Sequence, residues 1–173
     1  MSGSADLAKA INTVWDSSGL NAIFTALWPS GEDNFPVLHD QEAAPGSPFP
    51  YCVMELSQPR TITRMSKTST AKWEIRDVNC QFKVHARLKP DPDQASDPTD
   101  VRSPKEIASY LANEILKVFG GHPTQAPTAP TLDNGNFLIA QYDTDYSTRT
   151  GDDEYRWTIS YNFRLDVPVM VSA

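Results

Sequence analysis

Apolar residues recur at helical spacing in two parts of the chain. The first part lies on both sides of a weak link at residues 17–19, and its apolar positions are Leu7, Ile11, Val14, Trp15, Leu20, Ile23, Phe24, Leu27 and Trp28. This spacing predicts one kinked helix or two short helices. The second part follows Ser103, with Pro104 in the first turn and Glu106 completing a capping box. It predicts a helix that ends at Gly120 and Gly121.

Alternation of apolar and polar residues predicts the strands. Even positions in 78–88 are apolar or small and odd positions are polar, while residues 154–167 alternate without exception. Residues 136–146 supply a hairpin partner for the last strand, and the apolar run at 51–58 is suited to a buried strand. The resulting order α-β-β-α-β-β predicts an α+β fold, in which a four-stranded antiparallel sheet carries helices on one face and long projecting loops.

The alternation changes phase just before residue 78. Trp73 and Ile75 are apolar at odd positions, whereas the apolar residues that follow are at even positions. A shift of one residue moves every side chain to the other face of a sheet. The sequence therefore predicts a bulge or a sharp bend around Asp77.

Prolines concentrate between the predicted elements. The chain has 14 prolines in 173 residues, which is about 8%, whereas average proteins contain about 5%. They predict long loops at 29–50, 59–72, 89–103 and 120–135. A length of 173 residues is typical of one domain, so residues 1–173 are expected to form a single domain.

Charge and composition exclude several classes of protein. Lys and Arg number 15 and Asp and Glu 22, which gives a net charge of −7 and disfavours general electrostatic binding to nucleic acid. No run approaches the roughly 18 apolar residues of a membrane span. The N-terminus does not resemble a signal peptide, which favours a cytoplasmic location. Cys52 and Cys80 are expected to be reduced packing residues.

A search for catalytic, metal-binding or cofactor-binding residues predicts none. The Cys and His residues show no CxxC, HxH or HExxH spacing, and Cys80 and His85 are predicted on opposite faces of one strand. Phosphate-binding glycine motifs and a nucleophile elbow do not occur. The carboxylate pairs in the last hairpin are predicted to be surface charges, because a projecting turn offers no desolvated site.

Two segments of opposite charge stand out. Residues 59–72 contain basic side chains and no carboxylate, and this stretch is predicted to be a basic hairpin arm. Acidic residues gather in the last hairpin, whose turn at 147–153 is predicted to project as a finger. The arm and finger are either solvated loops or unlike patches that join copies in a head-to-tail ring. The candidate interface residues are Arg60, Arg64, Lys67, Asp152, Asp153 and Glu154.

Most of the chain resembles the tail terminator, or tail completion, proteins of long-tailed bacteriophages, which include minor tail proteins of the neck. The resemblance is one of element order and hydrophobic pattern, and this chain has longer proline-rich insertions at 29–50 and 89–104. It lies in the segments LNAIFTALW, PFPYCVMEL, CQFKVHARL, SPKEIASYLANEIL and YRWTISYNFRLDVPV.

The resemblance implies a structural, non-enzymatic virion protein assembled in the host cytoplasm. Such proteins form a ring, in this family a hexamer, on the head-proximal end of the tail tube. The ring terminates tail polymerisation and joins the tail to the head connector. Its partners would be copies of itself, the major tail tube protein and the connector, with DNA passing through the lumen without specific binding.

Two alternatives stay open at this point. The first is another neck or head-tail joining component, which would bind the portal or connector but not the tail tube. The second is a small α+β ligand-binding domain or enzyme. That class needs converging polar groups on the buried face, whereas the buried positions of the last strand are apolar apart from the hydroxyls of Tyr155 and Tyr161.

Overall fold

The computed structural model describes residues 3–28, 35–66, 72–87, 103–151 and 153–169. Three helices lie in these ranges: α1 (Gly3–Ser17), α2 (Leu20–Thr25) and α3 (Pro104–Phe119). The six strands are β1 (Leu38–Asp40), β2 (Tyr51–Leu56), β3 (Arg60–Ser66), β4 (Lys72–Arg87), β5 (Asn136–Arg149) and β6 (Glu154–Pro168).

The strands form one mixed sheet. The order is β1-β2-β4-β6-β5, and β3 also pairs with β4. Because β4 is long, β2 and β3 lie end to end along the same side of it, β2 opposite residues 80–85 and β3 opposite residues 72–77. All pairs are antiparallel except β1 with β2. The α+β class is confirmed, while the prediction of a four-stranded, wholly antiparallel sheet is wrong.

The two additional strands lie inside segments that were predicted to be loops. β1, within 29–50, has three residues and is too short to show a period. Hydrogen bonds from the Cys52 amide to the Val37 carbonyl and from the Gln41 amide to the Met54 carbonyl hold it to β2, each at 2.9 Å. β3, within 59–72, has exposed side chains from residue 60 to residue 64, so it lacks an apolar face that the pattern could reveal.

The helices pack on one face of the sheet. α1 and α2 are separate, because Gly19 adopts a left-handed conformation with φ of 82°. The capping box of α3 is present as predicted: the Ser103 hydroxyl accepts from the Glu106 amide, and the Glu106 carboxylate accepts from the Ser103 amide. α3 ends at Gly120.

Phe82 of β4 lies at the centre of the core. Its ring centroid is 6.0 Å from that of Trp15, 4.8 Å from that of Phe119 and 6.0 Å from that of Tyr161. These contacts join β4 to α1, α3 and β6 through side chains that are almost fully buried. The thiols of Cys52 and Cys80 are free and buried in the same core, as predicted.

The predicted bulge around Asp77 is not present in β4. Its register with β6 runs unbroken from Trp73 opposite Pro168 to Arg87 opposite Glu154. The phase changes in the sequence because Glu74, a charged residue, takes a buried position on the helix-covered face. The irregularity lies instead in the partner strand β3, between Thr61 and Thr63.

The last hairpin has a shorter turn than predicted. β5 continues to Arg149, so only residues 150–153 separate it from β6, and the predicted finger at 147–153 is partly strand. The ladder between these strands has irregularities at 137–139 and 142–144. These two bulges interrupt the outer edge of β5.

Candidate functional site

The predicted interface residues that the structure describes lie at opposite ends of the sheet. Arg60 and Arg64 are exposed on β3, and Asp153 is exposed in the turn before β6. Lys67 and Asp152 lie outside the described residues. Arg64 is opposite Glu74, whereas Glu154 is opposite Arg87 at the other end of β4. At a rise of ~3.4 Å per residue along β4, the positions of Glu74 and Arg87 are roughly 44 Å apart.

Arg64 is anchored within its own chain. Its Nε lies 2.9 Å from Glu74 Oε1, although 81% of the Arg64 side chain is exposed. Arg76 donates to the other carboxylate oxygen at 2.8 Å, and the Thr61 hydroxyl donates to it at 3.2 Å. The Arg76 hydrogen bond is the largest cause that lowers the pKa of Glu74. Sequence reasoning missed this buried carboxylate, which fixes the start of β4 against β3.

Glu154 is engaged within the chain as well. Its carboxylate lies 3.3 Å from His85 Nδ1 and 3.4 Å from Arg87 Nη2. These contacts join the first residue of β6 to the end of β4. Among the described residues of the predicted finger, Asp153 is therefore the one with an exposed carboxylate. The assignment of these charged residues to an interface stays a prediction.

Each long edge strand carries a large exposed apolar side chain at a bulge. Ile62 lies at the irregularity of β3 and is 47% exposed, and Leu138 lies at the first irregularity of β5 and is 48% exposed. No strand among the described residues pairs with the outer edge of β3 or of β5. Sequence reasoning missed both residues, because alternation assigns no face to a residue that a bulge inserts.

Aromatic and ionisable side chains form a cluster on the face of the sheet opposite the helices. The Tyr51 ring stacks on His85 at 4.9 Å, and the buried His39 meets Tyr51 edge-on at 5.5 Å. Phe49 packs on Tyr51 at 4.9 Å, and the Arg87 guanidinium lies 4.4 Å from the centroid of Phe49. The cluster joins β1 and β2 to the end of β4 that carries Glu154.

Both imidazoles of the cluster favour the neutral form. Burial lowers the pKa of His39, and its Nε2 has no hydrogen-bond partner. Burial also lowers the pKa of His85, assisted by the charges of Arg156 and Lys83 and opposed by Glu154. Burial raises the pKa of the Tyr51 phenol. Protonation of His39 would place a charge at a buried site without an acceptor.

Acidification is expected to destabilise the protein through these imidazoles. An unfolded histidine gains its proton near pH 6.5, whereas the folded forms of His39 and His85 resist protonation. The unfolded state therefore binds more protons as the pH falls below about 6.5, and the free energy of unfolding decreases. Thermal melts from pH 7.5 to 5 are expected to show a falling Tm, with a smaller fall in His39→Gln.

The control for this experiment is the Tm of His39→Gln at pH 7.5, which separates a loss of packing from a change in the pH dependence. An equal fall of Tm in His39→Gln and in the unaltered protein would show that His39 does not contribute.

Other candidate groups have structural partners. Asp145 accepts hydrogen bonds from the Tyr142 hydroxyl and, at 2.8 Å, from the Trp157 indole. The Tyr142 hydrogen bond to Asp145 raises the pKa of Tyr142 to about 12. The buried hydroxyl of Tyr161 donates to the Gly120 carbonyl at 2.7 Å. Among the described residues, no group of three or more His, Cys, Asp or Glu side chains is placed to hold a metal ion.

Comparisons with known proteins complete the description of the site. No protein-family profile matches the chain, and no curated protein matches it. A solved structure titled "Virion of native gene transfer agent (GTA) particle" contains a similar chain, with a TM-score of 0.39 and 13% identity over 75% of this chain and 78% of that one. Within the described residues, no helix is long and apolar enough to cross a membrane.

Proposed function

We propose that the protein is a structural subunit of a long-tailed phage particle that closes into a ring, a hexamer, at the head-proximal end of the tail tube. There it terminates tail polymerisation and joins the tail to the head connector, and DNA passes through the lumen without specific binding. The ring form is argued from the sheet edges. The place in the particle is argued from the resemblance of the sequence to tail terminator proteins.

The observation that carries the proposal is a sheet with two long edges, β3 and β5, with which no further strand among the described residues pairs and which differ in charge. The β3 edge exposes Arg60 and Arg64, whereas β5 exposes Asp143 in its middle part and Arg149 at its end. A long free edge in a single copy is a surface that pairs with other chains. When the two edges differ, the contact is head-to-tail, and repetition closes a ring when the rotation between copies divides a full turn evenly. Unlike charges favour that contact over contacts between like edges.

The alternative of a second neck component has the same ring architecture and differs in its partner. It would bind the portal or connector but not the tail tube, which co-sedimentation with purified tubes distinguishes. Glu74 and Tyr161 carry polar groups on the helix-covered face, and these groups form an ion pair and a hydrogen bond within the chain. Because their bonding capacity is used within the chain, they favour a structural protein over an enzyme.

Reversal of charge in the basic segment 59–72 is expected to abolish ring assembly. Of its candidate interface residues Arg60, Arg64 and Lys67, Arg64 is left unchanged, because Arg64→Glu would bring a second carboxylate to the buried Glu74. The variant is therefore Arg60→Glu with Lys67→Glu. Light scattering and negative-stain images are expected to show rings of about six copies for the unaltered protein and monomers for the variant, with the same circular dichroism spectrum.

The matched control is Lys105→Glu, which reverses an exposed charge at the start of α3 and is expected to leave assembly unchanged. Rings in the Arg60→Glu, Lys67→Glu variant would contradict the role of the basic edge. An unaltered protein that stays monomeric, both alone and with purified tail tubes, would contradict the proposed function.

A further inference from the structure

Ile62 and Leu138 lie at nearly the same level of the sheet, on opposite edges. One rung of the sheet, a row of residues paired directly across neighbouring strands, runs from Thr61 through Arg76 and Leu165 to Phe137. Ile62 follows the first residue of this rung, and Leu138 follows the last. Because β3 and β5 run antiparallel, Ile62 and Leu138 lie on either side of this rung, about one residue rise (~3.4 Å) apart along the strands, although 76 positions separate them in the sequence.

Charged residues flank both apolar side chains. On the β3 edge, Arg60 and Arg64 lie two residues before and after Ile62. On the β5 side, the exposed residues Asp133 and Asp143 lie five residues before and after Leu138, and Lys9 pairs with Asp133 at the surface. The β3 edge thus presents an apolar centre between two basic residues, whereas the β5 edge presents one with the exposed carboxylate of Asp143 farther along the same strand.

We propose that Ile62 on the β3 edge of one copy packs against Leu138 on the β5 edge of the next copy. This inference rests on the proposed function and names the contact that builds the ring. A second copy is the occupant that the charges select, because each edge complements the other edge of the same chain. Burial of two half-exposed aliphatic side chains adds a hydrophobic contribution to the charge pairing.

The contact joins two different edges of the same chain and is therefore heterologous, so its repetition gives a closed ring where the rotation between copies closes and a helical filament where it does not. The bulges interrupt the row of main-chain donors and acceptors on both edges. The contact therefore depends on these side chains, and indefinite growth of the sheet is disfavoured.

Cysteine cross-linking tests this contact directly. Ile62→Cys and Leu138→Cys are made as single variants, mixed and mildly oxidised, and a non-reducing gel is expected to show a disulfide-linked dimer between the two variants. The native thiols do not interfere, because Cys52 and Cys80 are fully buried. A bond within one copy is excluded, since three strand spacings, about 14 Å, exceed the ~7 Å limit between the Cα atoms of a disulfide.

The control pair is Ile62→Cys with Asp153→Cys, which reports a contact between β3 and the turn before β6. Cross-linking of the control pair and not of the test pair would overturn the proposal. So would dimers formed by Ile62→Cys alone, which indicate a symmetric contact. Rings in light scattering without a link between positions 62 and 138 would refute this contact and leave the proposed function standing, whereas monomers under all conditions would refute both.

Discussion

Replacement of Phe82 by alanine is expected to lower the free energy of unfolding by about 3–5 kcal/mol, the range for loss of a buried aromatic side chain. Phe82 is fully buried and contacts Trp15, Phe119 and Tyr161. Its removal would leave a cavity at the point where two helices and the two central strands meet. Neighbouring aromatic rings are too large to fill that cavity without leaving their own sites.

Chemical denaturation at neutral pH is the measurement, with Phe82→Leu as the matched variant. Leucine retains much of the volume and all of the apolar character, so its expected cost is about 1–2 kcal/mol. A loss below about 1.5 kcal/mol for the alanine variant would show that the core does not depend on this side chain. Equal losses in the two variants would show that the cavity is not the cause.

Replacement of Gly135 by alanine is expected to lower the free energy of unfolding by about 3 kcal/mol, from backbone strain and steric overlap together. Gly135 has φ of 124°, and a Cβ there would lie 2.5 Å from the Asp166 carbonyl oxygen and 3.1 Å from Val167 Cγ1. The carbonyl is backbone of the central strand β6, so it cannot rotate away as a flexible side chain would.

Gly46→Ala is the matched control. Gly46 also has positive φ, 82°, but a Cβ there would meet no atom within 4 Å. Its expected cost is therefore backbone strain alone, about 1 kcal/mol. Thermal and chemical unfolding of both variants separate strain from overlap, and equal losses would contradict the predicted collision with β6.

Sequence periodicity predicts those elements that have one buried face. α3 and β6 bury a continuous apolar face, so spacing, capping and alternation locate them closely. β1 is too short to show a period, and residues 60–64 of β3 are exposed, so periodicity carries no signal for either strand. The change of phase near Glu74 does not mark a bulge in β4. Pattern reasoning assigns a charged residue to solvent and takes no account of the ion pairs that hold the buried Glu74 carboxylate.

The charged residues of the candidate interface could be predicted from the sequence, but their partners within the chain could not. Charge composition singled out Arg60 and Arg64 without three-dimensional information. It gave no indication that Arg64 and Glu154 have partners within the chain, since those partners depend on strand register. The levels of Ile62 and Leu138 depend on the registers of three strand pairs, and a single sequence does not specify them.

The unbroken ladder between β4 and β6 has a mechanical consequence. The strands are antiparallel, and the β3–β4 arm and the β5–β6 turn are attached at opposite ends of this ladder. Tension applied between the arm and the turn pulls the two strands past each other in shear. All hydrogen bonds of the ladder then share the force and must break together, rather than one at a time as in unzipping. The ladder therefore resists a force that acts between these two ends of the sheet.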